Sequence, residues 1–289
     1  MKWEGLQRRV RPLQRKLSGR LPLCPWASIA WPFDPRTLGA RPPELKIEKV
    51  SDDGTYQKLR FADSHEAWLP SDAVINLEMW NEYLVVFWDH PGNAHFYLRD
   101  TPVKAGDLCV DCGACEGFFV FQALQAGASK VICVEPSAMM AQCLARTFSR
   151  EIAAGRVVVR NAALGATNGS ARFNFDRHQP FGGSLGAQGD GVDAVELITL
   201  ERLVAEMSLP RVDFVKMDIE GAEIQAVEGA LAVLKRDYPR LAITTYHRPF
   251  DFAALRALLV AAGYRHIKPV GVVERDDGMY RPVMLHAWV

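Results

Sequence analysis

From Gly106 onward, short apolar runs alternate with longer stretches in which apolar residues recur every three or four positions. The runs suit strands buried on both faces of a parallel sheet, and the longer period suits helices covering it. The pattern predicts strands at Leu108 to Asp111, Val131 to Val134, Val157 to Arg160, Phe214 to Met217 and Leu241 to Tyr246. Helices are predicted at Gly117 to Ala126, Ser137 to Arg150, Leu200 to Met207, Ala222 to Leu234 and Phe252 to Ala262, the last opened by Asp251 and stopped by Gly263. A strand near Arg172 to Phe175 precedes a loop running from Asp176 to Asp193. Strands Tyr264 to Val270 and Met284 to Trp288, reversed at Asp276-Asp277-Gly278, end the chain as an antiparallel hairpin. The expected fold class is α/β, mostly parallel with that one antiparallel insertion, over residues 101–289.

Before Gly106 the texture differs. Leu45, Ile47, Tyr56, Leu59 and Phe61 alternate around Asp52-Asp53-Gly54, the signature of a β-hairpin. A helix at Ser71 to Tyr83, a strand at Leu84 to Trp88, a turn at His90-Pro91-Gly92-Asn93 and a strand at His95 to Leu98 complete a small α+β extension over 44–100, placed to cover the acceptor side of the main domain. Residues 1–43 are basic and then rich in proline and tryptophan, which reads as a solvated or loosely packed arm. Its basic start is a candidate for peripheral contact with a membrane or partner.

Composition narrows the class. Lys+Arg and Asp+Glu both number 34, so no global field draws the chain to nucleic acid. No run of about 18 apolar residues spans a bilayer and no leader pattern opens the chain, so a cytoplasmic location is expected. Five of six cysteines cluster between Cys109 and Cys143, inside predicted strands, turns and helices, which suits reduced thiols. Cys109, Cys112 and Cys115 imitate an iron–sulfur spacing, but no fourth cysteine follows near position 119, and Cys109 lies in a strand.

The chemistry begins at VDCGACEG, Val110 to Gly117, which follows an apolar strand and opens a helix. Gly113 allows close backbone approach and Gly117 tight strand-to-helix packing, with Cys112 and Ala114 beside them. Asp111 is expected to accept from a ligand ammonium; a carboxylate there would repel a pyrophosphate. Glu135, 24 residues later at the end of the second strand and followed by Pro136 and Ser137, has two oxygens for a ribose diol. Asn161 and Ala162, after the third strand, are placed to line an adenine.

With these residues the chain resembles the FkbM family of methyltransferases. The resemblance runs from about Leu108 to the C-terminus and rests on DCGACEG, EPS at Glu135 to Ser137, NAALG at Asn161 to Gly165, ITLERL at Ile198 to Leu203 and VKMDIEGAE at Val215 to Glu223. It implies a Rossmann-like methyltransferase sheet, S-adenosylmethionine as cofactor, and methylation of a hydroxyl on a sugar, glycan or natural product. The chain departs from the family at Cys115 and Glu116, where Asn and an aliphatic residue are common. It departs again at the end of the fifth strand, where the family often has Glu and this chain has Thr244, Thr245, Tyr246 and His247. Residues 1–100 carry no part of the resemblance.

Methyl transfer to oxygen needs an aligned acceptor and a destination for its proton. Asp218, after the fourth strand, is the first candidate for orienting or deprotonating the acceptor and also stands at the cofactor. Lys216, on the same strand face, would keep Asp218 ionised or polarise the acceptor oxygen. His247 is a candidate base. Glu223 is read first as an acid favourably placed at a helix N-terminus, and Glu220 equally as that or as part of the site. No metal is expected, because the fifth strand supplies no second carboxylate. The glycine-rich loop Gln179 to Gly191 is a candidate lid. Two other readings compete: a non-catalytic module that binds the same cofactor, and an NAD-dependent oxidoreductase, disfavoured by the acid in the turn. A nucleic-acid substrate is disfavoured by the neutral charge.

Overall fold

The computed structural model describes residues 3–19, 21, 24–35, 44, 46–62, 65–175, 183–185 and 191–289. In chain order its elements are α1 (Trp3–Leu17), α2 (Trp26–Ala30), β1 (Ile47–Asp52), β2 (Tyr56–Phe61), β3 (Glu66–Pro70), α3 (Leu77–Phe87), β4 (Leu108–Cys112), α4 (Phe118–Gln125), β5 (Lys130–Val134), α5 (Ala138–Thr147), α6 (Ser149–Ala153) and β6 (Val157–Arg160). They continue with β7 (Ala163–Leu164), β8 (Gly169–Phe175), β9 (Ser184–Leu185), β10 (Gly191–Ile198), α7 (Leu200–Glu206), β11 (Phe214–Met217), α8 (Glu223–Glu228), α9 (Leu231–Asp237) and β12 (Arg240–Thr244). The last are α10 (Asp251–Ala262), β13 (His266–Val270), β14 (Val273–Glu274), β15 (Tyr280–Arg281) and β16 (Met284–Trp288).

Seven strands form the central sheet in the order β13-β16-β12-β11-β4-β5-β6. All run parallel except β16, which pairs antiparallel with both β12 and β13. β4 and β11 are buried at every residue, because helices cover both faces of the sheet. Strand order reverses between β4 and β11. Loops leaving their C-terminal ends therefore diverge to opposite faces and open a crevice, the place where ligands bind in open α/β sheets. Side-chain caps fix where the covering helices begin: Ser137 accepts from Met140 N–H at the start of α5, and Thr199 from Arg202 N–H at the start of α7.

Several sequence expectations shift. Leu84 to Trp88 is not a strand, because Asn76 caps a helix that runs on through Phe87. Its β-prone side chains stay helical because Tyr83 and Phe87, four residues apart, stack at 4.6 Å on one face. His95 to Leu98 is turn and not strand, tied down by Asn93, whose amide donates to three carbonyls at the C-terminal end of α3. The expected helix from Ala222 to Leu234 breaks at Gly229, which packs against the Gly165 carbonyl where a Cβ would overlap. A second sheet, β7-β10-β8-β9, occupies part of the expected loop; most of the candidate lid lies outside the described residues. The N-terminal arm is docked: Arg15 donates to the Gly278 carbonyl and lies over the Tyr280 ring, and Leu21, Cys24 and Ile29 pack against Tyr280.

The β1–β3 sheet and α3 are joined to the central sheet by aromatic packing. Phe61, 2% exposed, stacks on Tyr83 and meets Phe118 of α4 edge-on, both at 4.9 Å. Phe61→Ala is expected to cost about 3–5 kcal/mol in urea denaturation. A loss under about 1 kcal/mol would contradict this role for the contact.

Candidate active site

The crevice deepens into a cavity above the ends of β4, β5 and β11. Its floor is the turn after β4. Gly113 sits at φ 77°, and a Cβ on it would lie 2.0 Å from the Asp218 carbonyl oxygen, so only glycine lets the ends of β4 and β11 close on each other. Gly117, at φ 81°, precedes α4, where Phe148 and Leu144 leave no room for a side chain.

Cys112, Gly113, Ala114, Glu135, Pro136, Ala162, Lys216 and Asp218 all line the cavity. Glu135, 5% exposed, accepts from Cys115 N–H at 3.0 Å and from Ser137 N–H at 2.8 Å. Burial outweighs these bonds and pushes its carboxyl up to about 7. Four expected cofactor contacts instead stand behind the lining. Asp111 is fully buried under the turn, its Oδ1 3.1 Å from Lys216 Nζ, and it does not line the cavity. Asn161 donates to the carbonyls of Glu135 and Pro136 and holds their loop. Ser137 caps α5. Gly117 supplies packing space alone.

Lys216 donates to the Gly113 carbonyl at 2.5 Å. Burial opposes its charge, but Asp111 and Asp218 outweigh burial and hold the ammonium charged. Asp218 accepts from Tyr97 Oη at 2.7 Å and from Thr244 Oγ1 at 3.0 Å. Burial pushes its carboxyl up, while His247, Lys216 and Tyr97 outweigh that and keep it below the usual range.

His247 is enclosed by three carboxylates. Its Nδ1 lies 2.9 Å from Glu223 Oε1, and its Nε2 is 3.5 Å from both Asp218 and Glu220. Burial pushes the imidazole down, but its contacts with Glu220 and Glu223 and the charge of Asp218 raise it to about 11. It is therefore a cation behind Asp218 and does not line the cavity. Asp218, Glu223 and His247 also form a group whose ligand atoms lie within 4.8 Å of one another, with carboxylates supplied by the β11 loop and α8 in place of the fifth strand.

Sequence reasoning missed other wall residues. Glu82, the second of two acids in α3, lines the cavity with Glu116, Glu220, Tyr97 and Tyr246. Burial and then the charges of Glu116, Asp218 and Glu220 push it up to about 8. Glu116 is pushed up to about 7 by burial, and its Oε1 is buried without a hydrogen-bond partner. Glu220, at φ 54°, holds a backbone conformation uncommon for a side-chain-bearing residue and turns toward His247.

With this geometry in hand, comparison with known proteins is informative. The methyltransferase FkbM domain model matches residues 111–266, more than half of the chain. The chain is similar to an FkbM methyltransferase from Methylobacillus flagellatus KT, with 21% identity and a TM-score of 0.48, over 68% of this chain and 47% of that one. It thus spans about half the length of that protein. A precorrin-6Y C5,15-methyltransferase from Geobacter metallireducens shares 12% identity at a TM-score of 0.44, over 69% of this chain and 89% of that one. A putative tRNA (m1A22) methyltransferase from Streptococcus pneumoniae shares 15% at 0.40, over 74% and 71%. No curated protein sequence matches. No helix among the described residues is long and apolar enough to cross a membrane.

The charge assignment of His247 is testable. Because its folded-state pKa is raised from 6.5 to about 11, the stability it contributes is complete below about pH 6.5 and is lost as pH rises toward 11. Imidazole nitrogen shifts followed by NMR are expected to stay those of an imidazolium from about pH 5 to 9. A midpoint near the ordinary histidine value would contradict the assignment.

Proposed function

The chain belongs to the FkbM methyltransferase family, and from that premise we propose that it is an S-adenosylmethionine-dependent methyltransferase acting on a hydroxyl of a small molecule, sugar or glycan. The observation that carries this reading is the position of Asp218: an ionised carboxylate at the sheet's switch point, one glycine contact away from the turn after β4.

The residues suit the cofactor. Glu135 presents a buried carboxylate to the cavity for the ribose hydroxyls. Val134, Pro136, Ala162 and Leu164 offer apolar walls for the adenine. Glu116, with one orphaned oxygen, has the chemistry to take the ammonium of the methionine moiety, the task expected of Asp111. When bound, S-adenosylmethionine supplies an electrophilic methyl group on a positively charged sulfur.

The chain's own residues then align and deprotonate. Asp218 accepts the hydrogen bond of the acceptor hydroxyl and so turns a lone pair of the acceptor oxygen toward the position of the methyl carbon. Asp218 would then take the proton of the acceptor hydroxyl as that oxygen received the methyl group that bound S-adenosylmethionine would supply. A carboxylate of lowered pKa is sufficient for such a late transfer. Tyr97 and Thr244 hold its two oxygens, and Lys216 and His247 keep it ionised until then.

In this reading residues 101–289 form the catalytic domain, 44–100 a layer over the acceptor side, and 1–43 an arm. Glu82 and Tyr97 on the cavity wall support a part for the middle segment. The acid-lined cavity and zero net charge disfavour a phosphodiester acceptor, and six free cysteines favour a reducing, cytoplasmic location.

Asp218→Asn is expected to lower kcat by about a hundredfold or more while leaving the Kd for S-adenosylmethionine within about twofold. Glu135→Gln should weaken that Kd by about tenfold or more. Transfer kinetics and calorimetry on both variants check this, and the reverse pattern would overturn the assigned roles.

A further inference from the structure

A ring nitrogen without a partner lies buried beside the cavity. The His247 side chain is 6% exposed; its Nδ1 lies 2.9 Å from Glu223 Oε1, while its Nε2 has no hydrogen-bond partner among the described residues. That nitrogen faces two carboxylate oxygens, Asp218 Oδ1 and Glu220 Oε2, each at 3.5 Å. The separation is too long for a well-formed hydrogen bond to either. Glu223, fully buried, carries a second orphan, because its Oε2 also lacks a partner among the described residues.

A nitrogen set between two carboxylate oxygens is a donor set for a cation. Two ligand atoms 3.5 Å apart, each about 2.1 Å from one ion, subtend about 110° at it, close to the tetrahedral angle. Asp218 Oδ1 accepts from Thr244 Oγ1 at 3.0 Å and keeps a second lone pair. Glu223, on the Nδ1 side, is the carboxylate that orients a metal-bound imidazole, and its ligand atom lies within 4.8 Å of those of Asp218 and His247. The second carboxylate that the fifth strand lacks comes from Glu220, in the loop after β11. Asp218 and Glu220 both line the cavity, so an ion between them has its remaining positions open to it. Lys216, the other cation acting on Asp218, is engaged by Asp111.

We propose that a divalent first-row cation binds between His247 Nε2, Asp218 Oδ1 and Glu220 Oε2, with Glu223 holding the imidazole from behind. One imidazole nitrogen and two carboxylate oxygens suit Mn²⁺, Fe²⁺ or Zn²⁺ better than Mg²⁺, which is bound through oxygen and keeps its waters. In the metal-free chain the Nε2 proton stands in this position, and the ion displaces it. The ion's part in catalysis rests on the methyltransferase reading, whereas its binding does not. On that reading the ion takes the acceptor's hydroxyl oxygen as a further ligand and makes the hydroxyl proton easier for Asp218 to remove.

The test strips the full chain with EDTA, removes the chelator and titrates with Mn²⁺ alone, followed by calorimetry and by the paramagnetic resonance of the free ion. Mn²⁺ is the probe because thiolates favour softer metals, so the six cysteines do not compete for it. Saturable binding of one ion per chain is expected, with His247→Gln and Glu220→Gln each weakening the Kd by about tenfold or more. Near-UV circular dichroism that matches the wild type establishes that each variant keeps its fold. No saturable binding by the wild-type chain, or an unchanged Kd in both variants, overturns the site. Transfer of labelled methyl from S-adenosylmethionine into an extract of the cells that make the chain should fall about tenfold or more with EDTA and return with Mn²⁺. Transfer undiminished by EDTA overturns the ion's part in catalysis. Binding of Mn²⁺ without binding of S-adenosylmethionine would overturn the methyltransferase reading and leave the site standing, and the reverse would overturn the site alone.

Discussion

The site depends on a buried chain of alternating charges that begins at Asp111 and passes through Lys216, Asp218 and His247 to Glu223 and Glu220. Asp111, Lys216, His247 and Glu223 are buried deeply enough that each charge alone would cost several kcal/mol, and each is tolerated because its neighbour carries the opposite sign. The arrangement explains how Asp218 stays ionised in a cavity where burial pushes Glu82, Glu116 and Glu135 toward protonation. Asp111 and His247, which face inward, act on the charge state of Asp218, Asp111 through Lys216 and His247 directly.

The backbone supports this chain mechanically. Gly113 and the Asp218 carbonyl approach too closely for any side chain, so the end of β4 and the end of β11 form one rigid edge. That edge holds Lys216 under the turn and Asp218 over it. Thr244, at the end of β12, adds a hydroxyl within reach of both Asp218 and Glu223, which ties the neighbouring strand to the same edge.

The strands of the central sheet were legible in sequence because residues buried on both faces leave continuous apolar runs, as at Phe214 to Met217. The turn, Glu135 and Asp218 were legible because a motif fixes its residues in space through backbone geometry alone. What could not be read were relations set by tertiary packing. The ion pair that buries Asp111 against Lys216 and the three carboxylates that enclose His247 come from separate elements, and no local pattern encodes them. Leu84 to Phe87 carries strand propensity that its aromatic packing on α4 overrides. Glu82 lies nearly thirty residues before the first motif residue in sequence, and only the docking of α3 brings it to the cavity.

The account stands on the cavity being built for a sulfonium nucleoside, with its carboxylates answering positive charge. Calorimetric titration of the purified chain with S-adenosylmethionine and, separately, with NAD at neutral pH tests this most directly. The account predicts saturable micromolar binding of S-adenosylmethionine at one site per chain, and no heat from NAD, whose pyrophosphate would face Glu116 and Asp218. Binding of NAD without binding of S-adenosylmethionine would contradict it.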